Sequence, residues 1–397
     1  MSEFLSDVAN DNFKNSNILI VAHGTVISFM KRILQLSSSH AKKGKFEIFN
    51  DVDFKKINKT RSALRQVRNQ AISSRNQMIA KLPENLRKNY SKIAKDFNNI
   101  EFTDEILNKL CHGIAENKIS IISQQINKHT NQVILICIFR NVSNFINQWF
   151  EHYAKIGIKN FVLVDNNSDD DSIAKIKTYI KNFNIDLLSI SEKFECYKSC
   201  GWIQQIIEKY GTNKWYLTVD SDELFTYKDK FDDINLFIKW LENNKKNSVK
   251  SLTIDLYSNK PFNDQRDFND FIYADKIGYK TENRIYGQRY YGGMRERIFN
   301  IRPSLQKIPL IYYTGKELLV NNHFYFPYDI NKKSSLLGYL KYYKFCSLDF
   351  NHYMNLASEN VHWNNSSEYK TYVSVLKHNP SFYDKSISTE FDNLDIN

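Results

Sequence analysis

One stretch of the chain, residues 214–225, reads Lys214-Trp215-Tyr216-Leu217-Thr218-Val219-Asp220-Ser221-Asp222-Glu223-Leu224-Phe225. Its first half is an apolar run typical of a buried strand, and the run ends in three acids around one serine. Two carboxylates just past such a strand project from one edge of a sheet. There they can hold a divalent cation and leave positions open for phosphate oxygens. The stretch predicts a metal and diphosphate site, and the alternative is a strand followed by a solvated acidic turn.

Two earlier apolar runs also end in polar residues. Residues 133–139 are followed by Arg140, and residues 161–164 are followed by Asp165. Helical patterns separate the apolar runs, at residues 143–156, 173–182 and 200–210. This alternation predicts a parallel sheet with right-handed crossovers, and such sheets bind ligands beyond the carboxyl ends of their strands. We therefore expect Arg140, Asp165 and Asp220 to meet at one sheet edge.

The composition is that of a globular protein with a basic surface. The chain has 397 residues, 25% charged and 42% hydrophobic, and a formal net charge of +11, which favours anionic partners. Five scattered cysteines predict a reducing compartment. The first residues lack the pattern of a signal peptide, and the longest apolar run is too short to span a membrane. We expect a cytoplasmic protein, at most attached to the inner face of the plasma membrane.

Residues 1–130 predict an α-rich extension of unknown role. Residues 17–36 resemble the strand–His-Gly–helix of histidine phosphatases, but the Arg-His-Gly motif of that family is absent from the chain. The alternative is a βα unit of a small appended domain. Residues 53–97 are basic and helical in pattern, which indicates a solvated face or attraction to anionic lipid or a polyanion. Residues 103–122 predict a further helix.

From residue 132 onward the chain resembles a family-2-type glycosyltransferase of the GT-A fold. The family signature runs K/R-N-E, E-W-x-x-H-x-x-x-G, D-N-x-S-x-D and D-x-D-E-F. The matching segments here are Arg140-Asn141, Trp149, His152, Gly157, Asp165-Asn166-Asn167-Ser168-Asp169-Asp170, Trp215 and Asp220-Ser221-Asp222-Glu223. Later segments extend the match in order: Gly292-Gly293-Met294-Arg295, Lys307-Ile308-Pro309-Leu310, His323, Tyr343-Lys344-Phe345 and Glu368-Tyr369-Lys370-Thr371-Tyr372. The chain departs from the family at Val142, where Glu is usual, and at Tyr342, where His is usual.

The resemblance implies an α/β fold with a Rossmann-like mixed sheet flanked by helices. It implies a catalytic domain over residues 131–330, completed by a helical region over residues 331–397. The nucleotide's base and ribose would contact five residues, which are Arg140, Asn141, Asp165, Asn167 and Asp170. Carboxylates and amides can pair with a uracil N–H or ribose hydroxyls.

The resemblance also implies a divalent ion, Mn²⁺ or Mg²⁺, on Asp220 and Asp222. This ion would bridge the diphosphate and stabilise charge on the leaving group. His323 is the expected imidazole contact to the metal. Glu223 would orient a metal ligand or a water molecule.

Two arginines and three acids are further candidates for the site. Arg295 and Arg297, on the Gly292-Gly293 loop, are expected to contact phosphate, or else to be surface charges on a hairpin. The carboxylate that accepts the acceptor's proton is expected to be Glu296, with Asp255 and Glu282 as further candidates.

The main functional hypothesis is a metal-dependent glycosyltransferase that uses a nucleotide sugar, expected to be a UDP-sugar. The acceptor would be a glycan or glycolipid of bacterial surface polysaccharide or lipooligosaccharide, and we expect no nucleic-acid partner. One alternative is a non-catalytic glycan- or polyanion-binding protein on the same fold. The other is a metal-dependent nucleotide-sugar hydrolase.

Overall fold

The computed structural model describes residues 119–397, except 128, 228–230, 265–267, 285–286, 327–328, 347–349, 360–362, 395 and 397. Two segments discussed above lie outside the described residues. They are residues 17–36, which resemble the strand–His-Gly–helix of histidine phosphatases, and the basic residues 53–97. The helix predicted over residues 103–122 is described only at its end. There the prediction is wrong, because Ser120–Ser123 is a strand.

Fifteen strands are described. The first seven are β1 (Ser120–Ser123), β2 (Ile134–Phe139), β3 (Asn160–Asp165), β4 (Asn184–Ser189), β5 (Lys214–Thr218), β6 (Glu223–Tyr227) and β7 (Ser248–Asp255). The others are β8 (Tyr273–Asp275), β9 (Lys280–Arg284), β10 (Gly287–Tyr291), β11 (Gln306–Tyr313), β12 (Leu318–Asn321), β13 (Phe324–Phe326), β14 (Ser335–Tyr342) and β15 (Ser388–Glu390).

Eight α-helices are described. They are α1 (Ile146–Lys155), α2 (Ser172–Tyr179), α3 (Cys196–Tyr210), α4 (Ile234–Asn243), α5 (Gly293–Phe299), α6 (Asp329–Lys333), α7 (Phe350–Glu359) and α8 (Trp363–Leu376). Three 3₁₀ turns lie at Phe262–Asp264, Phe268–Asp270 and Phe391–Asn393.

Nine of the described strands form one sheet in the order β1-β4-β3-β2-β5-β11-β7-β14-β6. Strands β2, β3, β4 and β5 are parallel. Strand β11 is antiparallel to both β5 and β7, so β7 runs with β5, and β14 is parallel to β7. Six strands thus end at one edge of the sheet, where the antiparallel strands β1, β11 and β6 begin. The predicted α/β fold, a Rossmann-like mixed sheet flanked by helices, is confirmed.

The central strands form because their side chains are covered on both faces. Every residue of β3 and of β7 is buried. Strand β3 is a near-continuous apolar run, as expected in a parallel sheet, whereas five of the eight residues of β7 are polar or charged. Helix α1 packs Trp149, Phe150 and Tyr153 into the same core. It ends at Lys155, and Gly157, two residues later, has a φ of +88° that favours glycine.

The C-terminal part of the chain belongs to the same sheet. The resemblance implied a helical region over residues 331–397, and α7 and α8 lie there, but so does β14, between β7 and β6. A second core of aromatic side chains, which includes Phe299, Phe345 and Tyr372, packs α5 against these helices. Likewise β1, within the predicted extension, pairs with β4. The division at residues 130 and 330 stays a prediction, but the sheet continues across both positions.

Among the described helices, none is long and apolar enough to cross a membrane.

Candidate active site

The acidic loop, residues 220–223, lies at the sheet edge where the six parallel strands end. It joins β5 to β6, which are separated in the sheet by β11, β7 and β14. Within the loop, the Glu223 backbone N–H donates to the Asp220 carbonyl at 3.1 Å, and the Asp220 N–H donates to the Glu223 carboxylate at 3.1 Å. The backbone N–H of Tyr343, just past β14, donates to the Asp222 carbonyl at 2.9 Å. The loop is therefore fixed by its own turn and by the end of β14.

A lysine at the start of β11 holds two of the loop's carboxylates. The ammonium of Lys307 lies 2.6 Å from Asp220 Oδ2 and 2.7 Å from Glu223 Oε1. The Lys307 side chain is 11% exposed and that of Glu223 is 1% exposed, whereas that of Asp220 is 47% exposed. The ion pair of Lys307 with Glu223 is therefore buried, whereas its ion pair with Asp220 is open to solvent.

The three acids of the loop respond differently to their surroundings. Burial opposes ionisation of Asp220, but the Lys307 ammonium outweighs it and lowers the pKa of Asp220. Burial and the charge of Asp220 together raise the pKa of Asp222 against the attraction of Lys344. Burial, against the attraction of Lys307, raises the pKa of Glu223 to about 7, and the charges of Asp220 and Asp222 add to the shift. Lys307 therefore favours the charged form of all three acids, but only at Asp220 does its attraction outweigh burial.

A second lysine follows β14. Lys344 donates to the Tyr369 hydroxyl at 2.7 Å, and its ammonium lies 4.8 Å from the Tyr369 ring centre. Burial disfavours its charge, but attraction to Tyr369 and Asp222 outweighs burial and raises its pKa. The acidic loop thus has two lysines beside it.

His323 lies near Lys307 and Asp220, and its imidazole is neutral. Its Nδ1 is 3.0 Å from the Gln306 carbonyl. Since a carbonyl only accepts, we assign the proton to Nδ1, which leaves the Nε2 lone pair available. Burial, and then the charge of Lys307, lowers the pKa of His323 to about 4.

The carboxylate oxygens of the acidic loop are ligands that suit a divalent cation. Asp220 and Asp222 offer the oxygens that Mn²⁺ and Mg²⁺ take, and Asp220 already holds a cation, the Lys307 ammonium, as a stand-in. Nevertheless, the described residues contain no group of three His, Cys, Asp or Glu side chains that could hold a metal ion. The predicted ion on Asp220, Asp222 and His323 stays a prediction, with the two aspartates as the ligands that fit best.

The loops after β2 and β3 are tied to each other at the same edge. Asn141, with φ of +55°, donates to Asp169 at 2.6 Å, and the Asp169 N–H donates back to the Asn141 side chain at 2.9 Å. Asp165 pairs in register with Phe139, and its carboxylate accepts from the Ser168 N–H at 3.1 Å. The loops that carry Asp165 and Asn141 therefore meet at one sheet edge, and the roles of these two residues toward a nucleotide stay predictions.

The other three predicted nucleotide contacts lie in the same two loops. Asp170 accepts from the Ser143 N–H at 3.1 Å, and although burial opposes it, hydrogen bonds from Ser172 and Ser143 lower the pKa of Asp170. Asn167, with φ of +60°, donates to the Ser191 carbonyl at 3.0 Å. Arg140 is exposed. Asn167 and Asp170 shape the loops, and their roles toward a nucleotide stay predictions.

Arg295 and Arg297 lie in α5, not on a hairpin loop, and neither is a surface charge. Arg295 is 5% exposed, and its guanidinium is 2.9 Å from Asp255 and 3.3 Å from Glu368. Arg297 makes two hydrogen bonds to Asp275, at 2.9 and 2.7 Å. Both arginines bridge structural elements, and the predicted phosphate contact of Arg295 stays a prediction.

The candidate bases are all held by cations. Glu296 lies 3.1 Å from Lys280 and 2.8 Å from Arg302. Glu282 pairs with Arg284 and Arg289 on the β9–β10 hairpin. Asp255 ends β7 in register with Tyr342, which in turn pairs with Glu223. Of the three, Asp255 has the strand-end position next to the acidic loop, and Glu296 as the base stays a prediction.

Helix α1 fixes the edge strand that follows the acidic loop. The Tyr153 hydroxyl donates to the Glu223 carbonyl at 3.0 Å and accepts from the Phe225 N–H at 3.0 Å. His152 Nε2 is 2.7 Å from the Phe225 carbonyl, so this nitrogen carries the proton. Burial lowers the pKa of His152 to about 4. His152 is therefore a structural hydrogen-bond donor.

The structure also identifies site residues to which we assigned no role from sequence. They are Lys307, Lys344, Glu368 and Tyr369, all within segments quoted for the resemblance. A lysine or tyrosine in a weak motif carries no signal of its own. Only the sheet topology, which brings β11 and β14 beside the acidic loop, shows what these side chains contact.

No protein-family model matches the chain, and no curated protein sequence matches it either. Among solved structures, S. aureus TarS is 14% identical over 58% of this chain and 39% of its own, with a TM-score of 0.28. TarS 1-349 in complex with UDP is 15% identical over 58% of this chain and 64% of its own, with a TM-score of 0.29. An apo UDP-glucose pyrophosphorylase is 8% identical over 53% of this chain and 91% of its own, with a TM-score of 0.27. The chain spans less than two thirds of either TarS structure, and likenesses with such TM-scores assign no activity to it.

Proposed function

We propose that the chain is a glycosyltransferase that moves a sugar from a nucleotide donor, a UDP-sugar, to a glycan or glycolipid acceptor. The observation that carries this proposal is the convergence of strand ends at one sheet edge. Asp165 ends β3, Asp220 follows β5 and Lys307 is the second residue of β11 at that edge. A nucleotide-sugar site requires an acid that binds the nucleobase or ribose, which Asp165 can supply. It also requires charged groups that bind the diphosphate, which Asp220 and Lys307 can supply.

The two polar groups at the edge divide the work of donor binding. Asp165 and Asn141, fixed by the loops after β3 and β2, offer acceptors and donors to the uracil and ribose. Lys307 and Lys344 bring positive charge to the side where the diphosphate would lie, and such charge stabilises the leaving nucleoside diphosphate. A bound Mn²⁺ or Mg²⁺ on Asp220 and Asp222 would supply further Lewis acidity to the same leaving group.

The acceptor's hydroxyl must lose its proton to a carboxylate near the sugar. Glu296 remains our candidate for this base, and Asp255 is the alternative because it ends β7 beside the loop. We propose surface polysaccharide or lipooligosaccharide as the acceptor. We also propose a cytoplasmic location with contact to anionic lipid, because the net charge of +11 favours anionic surfaces.

A donor panel tests the proposal. The full chain is incubated with UDP-, GDP- and dTDP-sugars and Mn²⁺, and donor turnover and nucleotide affinity are measured. We expect one donor class to be consumed, and Asp220→Ala and Asp222→Ala to lose that activity. Asp329→Ala, at an exposed ion pair with Lys333, serves as the control and should behave as wild type.

Two outcomes would reject the proposal. If no nucleotide sugar binds or turns over, and polyanions bind without metal, the chain is a binding protein. If free sugar is released at a rate that no added glycan changes, the chain is a hydrolase.

A further inference from the structure

The Lys307 ammonium occupies the position that a bound cation would take on Asp220. It lies 2.6 Å from Asp220 Oδ2 and 2.7 Å from Glu223 Oε1, so one charge serves two carboxylates. A divalent ion bound through Asp220 would be only a few ångströms from this ammonium, in a partly buried site where like charges repel strongly. Lys307 and a divalent ion on Asp220 would therefore repel each other, and each would weaken the binding of the other.

The geometry also allows Lys307 to leave. Asp220 is the solvent-exposed partner of Lys307, with 47% of its side chain exposed. Lysine is a point charge on a flexible four-carbon stem, so its ammonium can move without moving β11. An incoming diphosphate carries more negative charge than one carboxylate, and it would draw the ammonium off Asp220.

We propose that Lys307 is a tethered counter-ion that competes with a divalent cation for Asp220 and gives up that position to the diphosphate of the donor. Metal and donor then bind together, and metal alone binds weakly. The competition between Lys307 and the cation stands on the ion pair itself. The transfer of Lys307 to a diphosphate rests on the proposed function.

Mn²⁺ binding, followed by the electron paramagnetic resonance signal of the free ion, tests the proposal without any turnover. The full chain is titrated alone and with UDP, after correction for the Mn²⁺ that UDP binds in solution. The variants are Lys307→Met, Lys307→Arg, which keeps the charge, and Lys333→Met, which removes an exposed lysine elsewhere. Thermal unfolding of each variant checks that it is folded.

We expect Lys307→Met to bind Mn²⁺ alone at least tenfold more tightly than wild type, and Lys307→Arg and Lys333→Met to resemble wild type. Asp220→Asn in the Lys307→Met background should abolish the gain. UDP should tighten Mn²⁺ binding at least tenfold in wild type and by a smaller factor in Lys307→Met, which lacks the ammonium that UDP draws off Asp220.

Equal Mn²⁺ affinity in wild type and folded Lys307→Met, within threefold, would overturn the competition. If Lys307→Met gains Mn²⁺ affinity but UDP binds to no form, the proposed function and the diphosphate step fail while the competition stands. If Lys307→Arg cannot fold, the comparison with Lys333→Met still decides.

Discussion

Lys344 and Tyr369 are joined by a hydrogen bond of 2.7 Å across 25 residues of sequence. Lys344 follows β14, whereas Tyr369 lies in α8, so the bond ties the C-terminal helices to the strand beside the acidic loop. The Lys344 ammonium and Asp222 also attract each other. The C-terminal region therefore supplies and holds a cation of the site.

Replacing Lys344 should weaken donor binding. Lys344→Met removes a charge that we place beside the diphosphate, and a hydrogen bond to a charged group contributes about 1.5–3 kcal/mol. We therefore expect UDP affinity to fall roughly tenfold or more, measured by isothermal titration calorimetry at fixed salt. Lys377→Met, at an exposed lysine, should leave affinity unchanged. Tyr369→Phe removes only the hydroxyl and should cost less than Lys344→Met; a larger loss would place the hydroxyl, not the ammonium, at the nucleotide.

Neutralising the two aspartates should change stability in opposite directions. Asp220 has a lowered pKa, so its ionised form contributes stability above its unfolded pKa, and Asp220→Asn should lower the melting temperature at pH 7. Asp222 has a raised pKa, so its ionisation opposes folding at pH 7, and Asp222→Asn should raise the melting temperature. Differential scanning calorimetry measures both. Each variant should lose most donor turnover, and a shift of the same sign in both would show that Lys307 does not distinguish them.

Glu223 should make the unfolding free energy depend on pH. Its pKa is raised from 4.5 to about 7 in the folded state. Its stabilising contribution is therefore complete below pH 4.5 and is lost as the pH rises through 7. Relative to Glu223→Gln, the wild type should lose up to about 3 kcal/mol between pH 5 and 8. Urea unfolding at several pH values gives the difference, and a constant difference would mean that Lys307 keeps Glu223 ionised throughout.

Part of this site was predictable from sequence, because some of its residues lie at the ends of apolar runs that can be recognised one strand at a time. Asp165 and Asp220 end apolar runs of strand length, and parallel strands bring such ends to one edge. The contacts of Asp220 with Lys307, and of Lys344 with Tyr369, depend on β11 and β14, which pair with strands far away in sequence. Arg295 was misplaced on a hairpin loop for the same reason, since its buried partner Asp255 ends a different strand.

Gly292 should tolerate no side chain. Its φ is +116°, and a Cβ there would lie 2.1 Å from the Gly278 carbonyl oxygen. We expect Gly292→Ala to destabilise the protein by roughly 3 kcal/mol or more, through backbone strain and the clash together. Gly211→Ala is the matched control, because φ is +98° but no atom lies within 4 Å of the added Cβ. It should cost about 1–3 kcal/mol from strain alone. Equal losses in urea unfolding would mean that the Gly278 segment shifts freely.

The topology of the acidic loop sets an order of events during synthesis. Lys307 follows Asp220 by 87 residues, and the strand that pairs with β6 begins later still. At roughly 5–20 residues per second, a ribosome makes the three acids several seconds before their lysine partner. A nascent chain that has reached residue 300 therefore carries the loop without the strands that hold it. Assembly of the site must wait for the last quarter of the chain to emerge.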